Sequence, residues 1–330
     1  MGAIAGFGNY FLNFLGSGGV EYLSTSYAAM QWGYVTVGAN TFYSKVDPLP
    51  PDQLLSVTSS SGAKTTVAYT NLSNASVYAS DLGTAKAGVY PVLDFTPSMN
   101  VVSSVTTDSG VGTATVQTRF GYAGSKVEIN GRGFLGFREI RQQMDAPDGT
   151  SKLTSVKQLL QQHPYIGSMS VSETYLGPLS AMSAPQTGTR MSRAENTYCD
   201  TYAAAGAENS ASFTAPCPVS GKLQRPYLFK SVQSGVDLAG YATPTATMTQ
   251  RYVGGYLSSM LVQTQGSGPA GTENFSKQTD YLYFADDISG ENWKVGRVQK
   301  ATTSNTVPNS LSAIPTTAGS WPKASATTGQ

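Results

Sequence analysis

Histidine and cysteine are nearly missing from this chain, and their scarcity removes most of the common routes to chemistry. One histidine, His163, and two cysteines, Cys199 and Cys217, occur in 330 residues. A four-ligand zinc site would need more of both, and the two cysteines stand too far apart for a CxxC redox motif. Charge is sparse as well. Only 12% of residues are charged, with 21 Lys and Arg against 20 Asp and Glu. Nucleic-acid binders concentrate positive charge, so that class is disfavoured. The first basic residue is Lys45, and the apolar run over 1–15 is broken by Gly6, Gly8, Asn9 and Asn13. A Sec signal needs a positive leading region and a membrane span needs about 20 apolar residues, so neither is read here. The run fits a buried strand or short helix. Stretches of Glu, Lys, Leu and Ala that would favour helix are few elsewhere too.

What the chain has instead is Ser, Thr, Gly, Val and Tyr in alternation. That usage favours short strands joined by turns, and the expected fold class is all-β: antiparallel strands in a long, curved, shell-like sheet with few or no helices. Leu55 to Ser59 and Thr65 to Tyr69 flank the turn Ser60-Ser61-Gly62-Ala63 and read as a β-hairpin. A second hairpin joins Val101–Thr107 to Thr113–Tyr122 through Asp108-Ser109-Gly110. In its return strand Ala114, Val116, Thr118, Phe120 and Tyr122 fall on one face, with Thr115, Gln117 and Arg119 on the other. Over 152–162 two patterns compete. Leu153, Val156, Leu159 and Leu160 sit at helical spacing, yet Pro164 disfavours helix at His163, and strand is the preferred reading. Further strands are expected at 169–175, 191–198, 224–232, 245–252 and 274–283.

The densest signal is Gly131-Arg132-Gly133-Phe134-Leu135-Gly136-Phe137. Glycine at 131 and 133 permits positive φ or the close approach of a neighbouring strand, with Arg132 free to point outward between them. Phe134, Leu135 and Phe137 put apolar groups on both faces, so the strand that follows is expected to be covered on both sides. With the preceding Phe120-Gly121-Tyr122-Ala123-Gly124 and the following Asp148-Gly149, this run resembles the bacterial Rhs/YD-repeat family, and within it the β-rich shell shared with the B/C component of insecticidal toxin complexes. The similarity continues at Ser76-Val77-Tyr78, at Tyr90-Pro91-Val92, through Val101-Val102, and at Trp293 with Gly296-Arg297, where the family has a Trp-x-x-Gly-Arg strand. It covers roughly residues 54–308.

The resemblance implies a structural wall segment of a secreted or cell-surface toxin casing. Such a shell encloses or delivers a toxic polypeptide, so the implied partners are further Rhs/YD-repeat shell segments and a toxin cargo. Tyr-Asp repeats, a protease-like core motif and a toxin domain are not recognisable in this sequence. The organisation read from the chain is an aromatic and glycine-rich segment over 1–50, a shell segment over 51–300 and a Ser/Thr/Ala-rich, disordered tail over 301–330. The structural residues are Gly131, Arg132, Gly133, Phe134, Gly136, Phe137, Trp293, Gly296 and Arg297.

No catalytic, cofactor or metal site is read. His163 lacks a Gly-x-Ser-x-Gly elbow, Asp286, Asp287 and Glu291 lack the spacing of a calcium loop, and Gly254-Gly255 lacks the lysine of a phosphate loop. Arg132 and Arg297 are expected to pair with carboxylates between strands. For Cys199 and Cys217 a disulfide and two free thiols both stay open; a bridge would add about 3 kcal/mol by closing the loop between them. A second functional class is a β-surface that binds cell-envelope glycans or another protein through exposed tyrosines.

Overall fold

The computed structural model describes residues 53–110, 114–146, 150–200, 226–268, 271–289 and 293–307, and the backbone of five short strands before them. Those five are β1 (Asn9–Leu12), β2 (Glu21–Thr25), β3 (Met30–Gln31), β4 (Tyr34–Val35) and β5 (Thr41–Lys45). There follow β6 (Ser56–Thr58), β7 (Lys64–Asn71), β8 (Tyr78–Ala79), β9 (Val92–Asp94), β10 (Asn100–Asp108), β11 (Thr115–Glu128), β12 (Gly133–Asp145) and β13 (Lys152–Leu159). The last seven are β14 (Met169–Leu176), β15 (Thr189–Cys199), β16 (Tyr227–Val236), β17 (Ala242–Val253), β18 (Tyr256–Gly268), β19 (Gly271–Tyr283) and β20 (Val298–Thr306). No helix occurs among the described residues, and none is long and apolar enough to cross a membrane. The all-β expectation holds. Strand also wins over 152–159, where β13 pairs on both sides and the apolar residues at helical spacing are divided between two sheet faces.

The chain forms two compact units, Met1–Glu195 and Asn196–Gln330, dividing within β15. In the first, β1-β2-β5 and β3-β4 form small antiparallel sheets, and a larger sheet runs in the order β6-β7-β10-β11-β12-β13-β14-β15. Both hairpins read from the sequence are present. β11 changes neighbours halfway along. Its first half pairs with β10, ending at Ser104 opposite Arg119, and its second half pairs with β8 and β9. The β8 pairing is parallel, Tyr122 opposite Tyr78, an exception to the antiparallel pattern expected. Extra residues interrupt the ladders of β7 with β10, β11 with β12, β13 with β14 and β14 with β15, and each such bulge bends its strand.

The apolar core of this unit sits where β11 changes partners. Leu72, Val77, Tyr78 and Val101 are buried, with Tyr122 and Phe137 packed against them. Phe137 lies 4.9 Å from the Tyr122 ring and 6.3 Å, edge on, from Tyr78. The buried hydroxyls are all used: Tyr78 meets Ser125 Oγ at 2.8 Å and Tyr122 donates to the Val102 carbonyl at 2.9 Å.

The second unit is a meander, β16-β17-β18-β19-β20, each strand antiparallel to the next. Its sequence reading missed β18. The signal was the Gly254-Gly255 turn with Tyr256, Ser258, Met260 and Val262 alternating after it, and those glycines had been considered only as a phosphate loop. β20 continues to Thr306, past the boundary at 301 where a disordered tail was expected to begin.

Candidate functional site

The glycine-rich run forms the β11–β12 hairpin. Gly131, Gly133 and Gly136 have φ of 120°, 73° and 81°, and a Cβ at any of them would meet nothing within 4 Å. Of the two roles open to these glycines, backbone conformation is the one used. The turn is held by the buried Glu128 carboxylate, which accepts from the Asn130 and Arg132 N–H groups at 2.7 and 3.1 Å. Arg132 points outward as expected, half exposed, and its guanidinium lies 3.6 Å from Glu128. That pair is local to the turn and does not join strands. Leu135 and Phe137 enter the core, whereas Phe134 is 46% exposed, so the strand is not covered on both faces.

Beyond Phe137 the buried face of β12 turns from apolar to charged. Arg141 on β12, Val156 on β13, Glu173 on β14 and Arg193 on β15 stand directly opposite one another in a row that begins at Gly121 on β11. On one side of it runs Ala123, Glu139, Gln158, Val171 and Glu195; on the other runs Arg119, Gln143, Thr154, Tyr175 and Arg190. Side chains opposite one another in a sheet share a face, so opposite charges in neighbouring rows meet. Arg193 contacts both Glu173 and Glu195, and Arg190 reaches Glu173 at 3.4 Å. Asp81, 4% exposed just after β8, receives a two-pronged bond from Arg138 Nε and Nη2 at 2.8 and 2.9 Å, and Arg138 Nη1 bonds Glu139 at 2.9 Å.

Arg141 links this charged face to the β14–β15 connection above it. Its Nε bonds Glu139 at 2.6 Å, and its Nη groups donate to the carbonyls of Ser180, Ala181 and Ala184 at 3.4, 3.3 and 2.8 Å. Gln143 accepts from the Leu179 N–H at 2.8 Å, and Met182 of the same connection packs onto Gly121. Gly124 has φ of 63°, and a Cβ there would collide with the Asp81 carboxylate. Gly121 and Gly124 thus make room for the loop and for the ion pair. Gln161 donates to the carbonyls of Gly124 and Gly136 at 2.8 Å each, tying β11 to β12 where the ladder bulges.

Asp81, Arg138, Glu139, Arg141, Glu173 and Met182 help line a cavity of about 480 Å³. Burial alone would lower the Arg138 guanidinium, but Asp81 and Glu139 outweigh it and hold it above its ordinary value. Burial, then Glu173, pushes the Tyr175 hydroxyl up. No cluster of three metal-ligating residues occurs among the described residues. The arrangement joins strands. Breaking such a buried pair costs about 3–5 kcal/mol, because the surviving charge is left without a counterpart.

Trp293, Gly296 and Arg297 lie in the second unit. The Gly296 N–H donates to Asp286 at 3.0 Å, Tyr256 donates to the same carboxylate at 2.7 Å, and Gly296 approaches the Tyr256 ring closely at φ of 65°. Arg297 sits 5.2 Å over the Phe284 ring in a cation–π contact, not in the carboxylate pair expected. Trp293 is 77% exposed, and over 293–297 the chain forms an isolated bridge of Lys294 with Asp287 in place of the expected Trp-x-x-Gly-Arg strand, before β20 begins at Val298. His163 is exposed and forms no hydrogen bond or ion pair among the described residues. Cys199 ends β15 fully buried, and no free cysteine occurs among the described residues; Cys217 and Glu291 lie outside them, as does Asp148-Gly149. The charged rows escaped the sequence reading, although Glu139 with Arg141 and Arg193 with Glu195 carry the opposite-sign, two-residue spacing that could have found them.

Residues 4–165 match the family of the insecticide toxin TcdB middle/N-terminal region. The chain is also similar to a TcdB2-TccC3-TEV crystal structure, at 10% identity and a TM-score of 0.56 over 87% of its length. A Photorhabdus luminescens Tc holotoxin pore structure aligns at 9% identity and a TM-score of 0.54 over 88%. The family match covers just under half of the chain, and the fold is similar to that of these toxin-complex structures. The chain spans 16% of the length of each of those two solved chains. No curated protein matches it.

Proposed function

We propose that the chain is a wall segment of a secreted toxin casing, and that with further shell segments it encloses or delivers a toxic polypeptide. The supporting observation is the charged face of β12 to β15, where side chains that might have formed a reaction centre are paired between strands or with the loop above them. Paired wall charges keep a sheet in register while leaving nothing reactive towards a cargo. Cys199 and Cys217 form a disulfide in this reading, which suits export to an oxidising compartment. The test is co-expression with the polypeptide encoded directly downstream. A common particle that protects part of that polypeptide from protease is expected; separate, monodisperse proteins would end the casing reading.

A second reading rests on the exposed aromatics Trp293 and Tyr241, 77% and 73% exposed, which could stack on sugar rings. Glycan-array binding that Trp293→Ala abolishes, by a chain that captures no downstream product, would favour it over the casing.

A further inference from the structure

The turn between β11 and β12 carries a residue pair found nowhere else in the chain. Asn130, followed by Gly131, is the only asparagine with a glycine after it in all 330 residues. The side-chain amide carbon of an asparagine can be reached by the backbone nitrogen of the next residue, and attack by that nitrogen closes a five-membered ring. A side chain on the next residue hinders the attack, and glycine has none. Asparagine is chemically labile for this reason.

The fold leaves both reacting groups unoccupied. The Asn130 side chain forms no hydrogen bond among the described residues, and neither does the Gly131 N–H. Their neighbours are held instead, since the buried Glu128 carboxylate accepts the Asn130 and Arg132 N–H groups on either side of Gly131. Asn130 is exposed, and the space that a Cβ on Gly131 would take holds no atom within 4 Å. Asn74, in the connection between β7 and β8, is the contrast. Its amide donates to the Thr70 hydroxyl at 3.0 Å, and its side-chain oxygen accepts from the Ser76 N–H and hydroxyl at 3.0 and 2.7 Å. Ala75 follows it.

We propose that Asn130-Gly131 is a spontaneous modification site of the folded chain, and that its conversion loosens the hairpin turn. The Gly131 nitrogen gives its proton to hydroxide and bonds to Asn130 Cγ; the side-chain amide nitrogen takes a proton from water and leaves as ammonia. Water then opens the resulting succinimide at either carbonyl. One opening gives aspartate at position 130, and the other gives isoaspartate, in which the main chain runs through Cβ and Cγ and is one atom longer. Both products add a negative charge to a turn already closed by a carboxylate. The longer chain of isoaspartate also moves the Arg132 N–H relative to Glu128, so that bond is lost. The turn lies against the end of β9, where the Ile129 N–H donates to the Pro91 carbonyl at 3.2 Å, and the change reaches that contact too. This chemistry is independent of the casing reading.

The test is ageing of the full chain in water enriched in oxygen-18, followed by mass spectrometry of the tryptic peptide 127–132 and by hydrogen exchange. Asn130 should convert, with uptake of label, at least about tenfold faster than Asn74, and isoaspartate should be among the products. Exchange of the Arg132 amide should quicken about tenfold in the converted fraction. Asn130→Ser, aged in the same way, should show neither change. Conversion only in denatured chain, or equal rates at Asn74 and Asn130, would overturn the site. Conversion that leaves Arg132 exchange unaltered would overturn its effect on the turn, and so would equal quickening in aged Asn130→Ser.

Discussion

The first unit buries charged side chains, whereas the polar side chains that the second buries, among the described residues, are all hydroxyls. Asp81, Glu139, Arg141 and Glu173 are each no more than 6% exposed, and each is bonded to an opposite charge. In the second unit Trp293 and Leu238 are 77% and 92% exposed, and β20 is exposed throughout. Buried ion pairs add little net stability compared with apolar packing, but they penalise every register except the one that pairs them. The hydroxyls buried in the second unit, Ser231, Thr249, Ser259 and Thr279, carry no such penalty of mismatched charge.

The contrast is broken most strongly by removing one charge of the buried network. Asp81→Ala should lower stability by about 3–5 kcal/mol in chemical denaturation, since Arg138 would lose both of its bonds to that carboxylate. Gly124→Ala should cost about 1–3 kcal/mol, because the new methyl group needs positive φ and the space of the same carboxylate. In the hairpin turn Arg132→Ala should cost under about 1 kcal/mol, its guanidinium being half exposed. A loss comparable to that at Asp81 would show that the turn, and not the charged rows, anchors β12.

Titration should test one group in each unit. Burial raises the Tyr122 hydroxyl, so the fold favours its neutral form. Its contribution is intact below the unfolded value of about 10 and is lost as pH rises through the higher folded value. Tyr122→Phe should flatten that alkaline decline in melting temperature. In the second unit Tyr256, then the Gly296 N–H, holds Asp286 below the ordinary carboxylate range. Its contribution is present above the unfolded value of about 3.9 and fades as pH falls through the lower folded value. Asp286→Asn should remove that acid dependence around β20 while leaving hydrogen exchange in β12 unchanged.

The all-β class and most strands were legible because period-two alternation and Gly-bearing turns are local signals. The glycines at 131 and 133 were legible for the same reason: their role lies in their own backbone. What stayed hidden depends on register. Nothing near Asp81 in sequence announces Arg138, 57 positions away, as its partner. Arg141 acquires its role only when the loop after β14 folds back over β12. Arg297 was read as an ion-pair residue because arginine beside glycine suggests a tight turn, but Phe284 was the nearer surface. Trp293 was placed in a strand by resemblance, but its stretch makes only an isolated bridge of Lys294 with Asp287 among the described residues.

The measurement that bears most directly on the wall account is the paired replacement Asp81→Leu with Arg138→Met, read by denaturation and by capture of the downstream polypeptide. If the pair only fastens β12 to the segment after β8, apolar groups of similar size should keep stability within about 1–2 kcal/mol and leave capture unchanged. A variant that folds as well as the parent but no longer captures its partner would show that those charges serve an encounter or a reaction, and the account would be wrong.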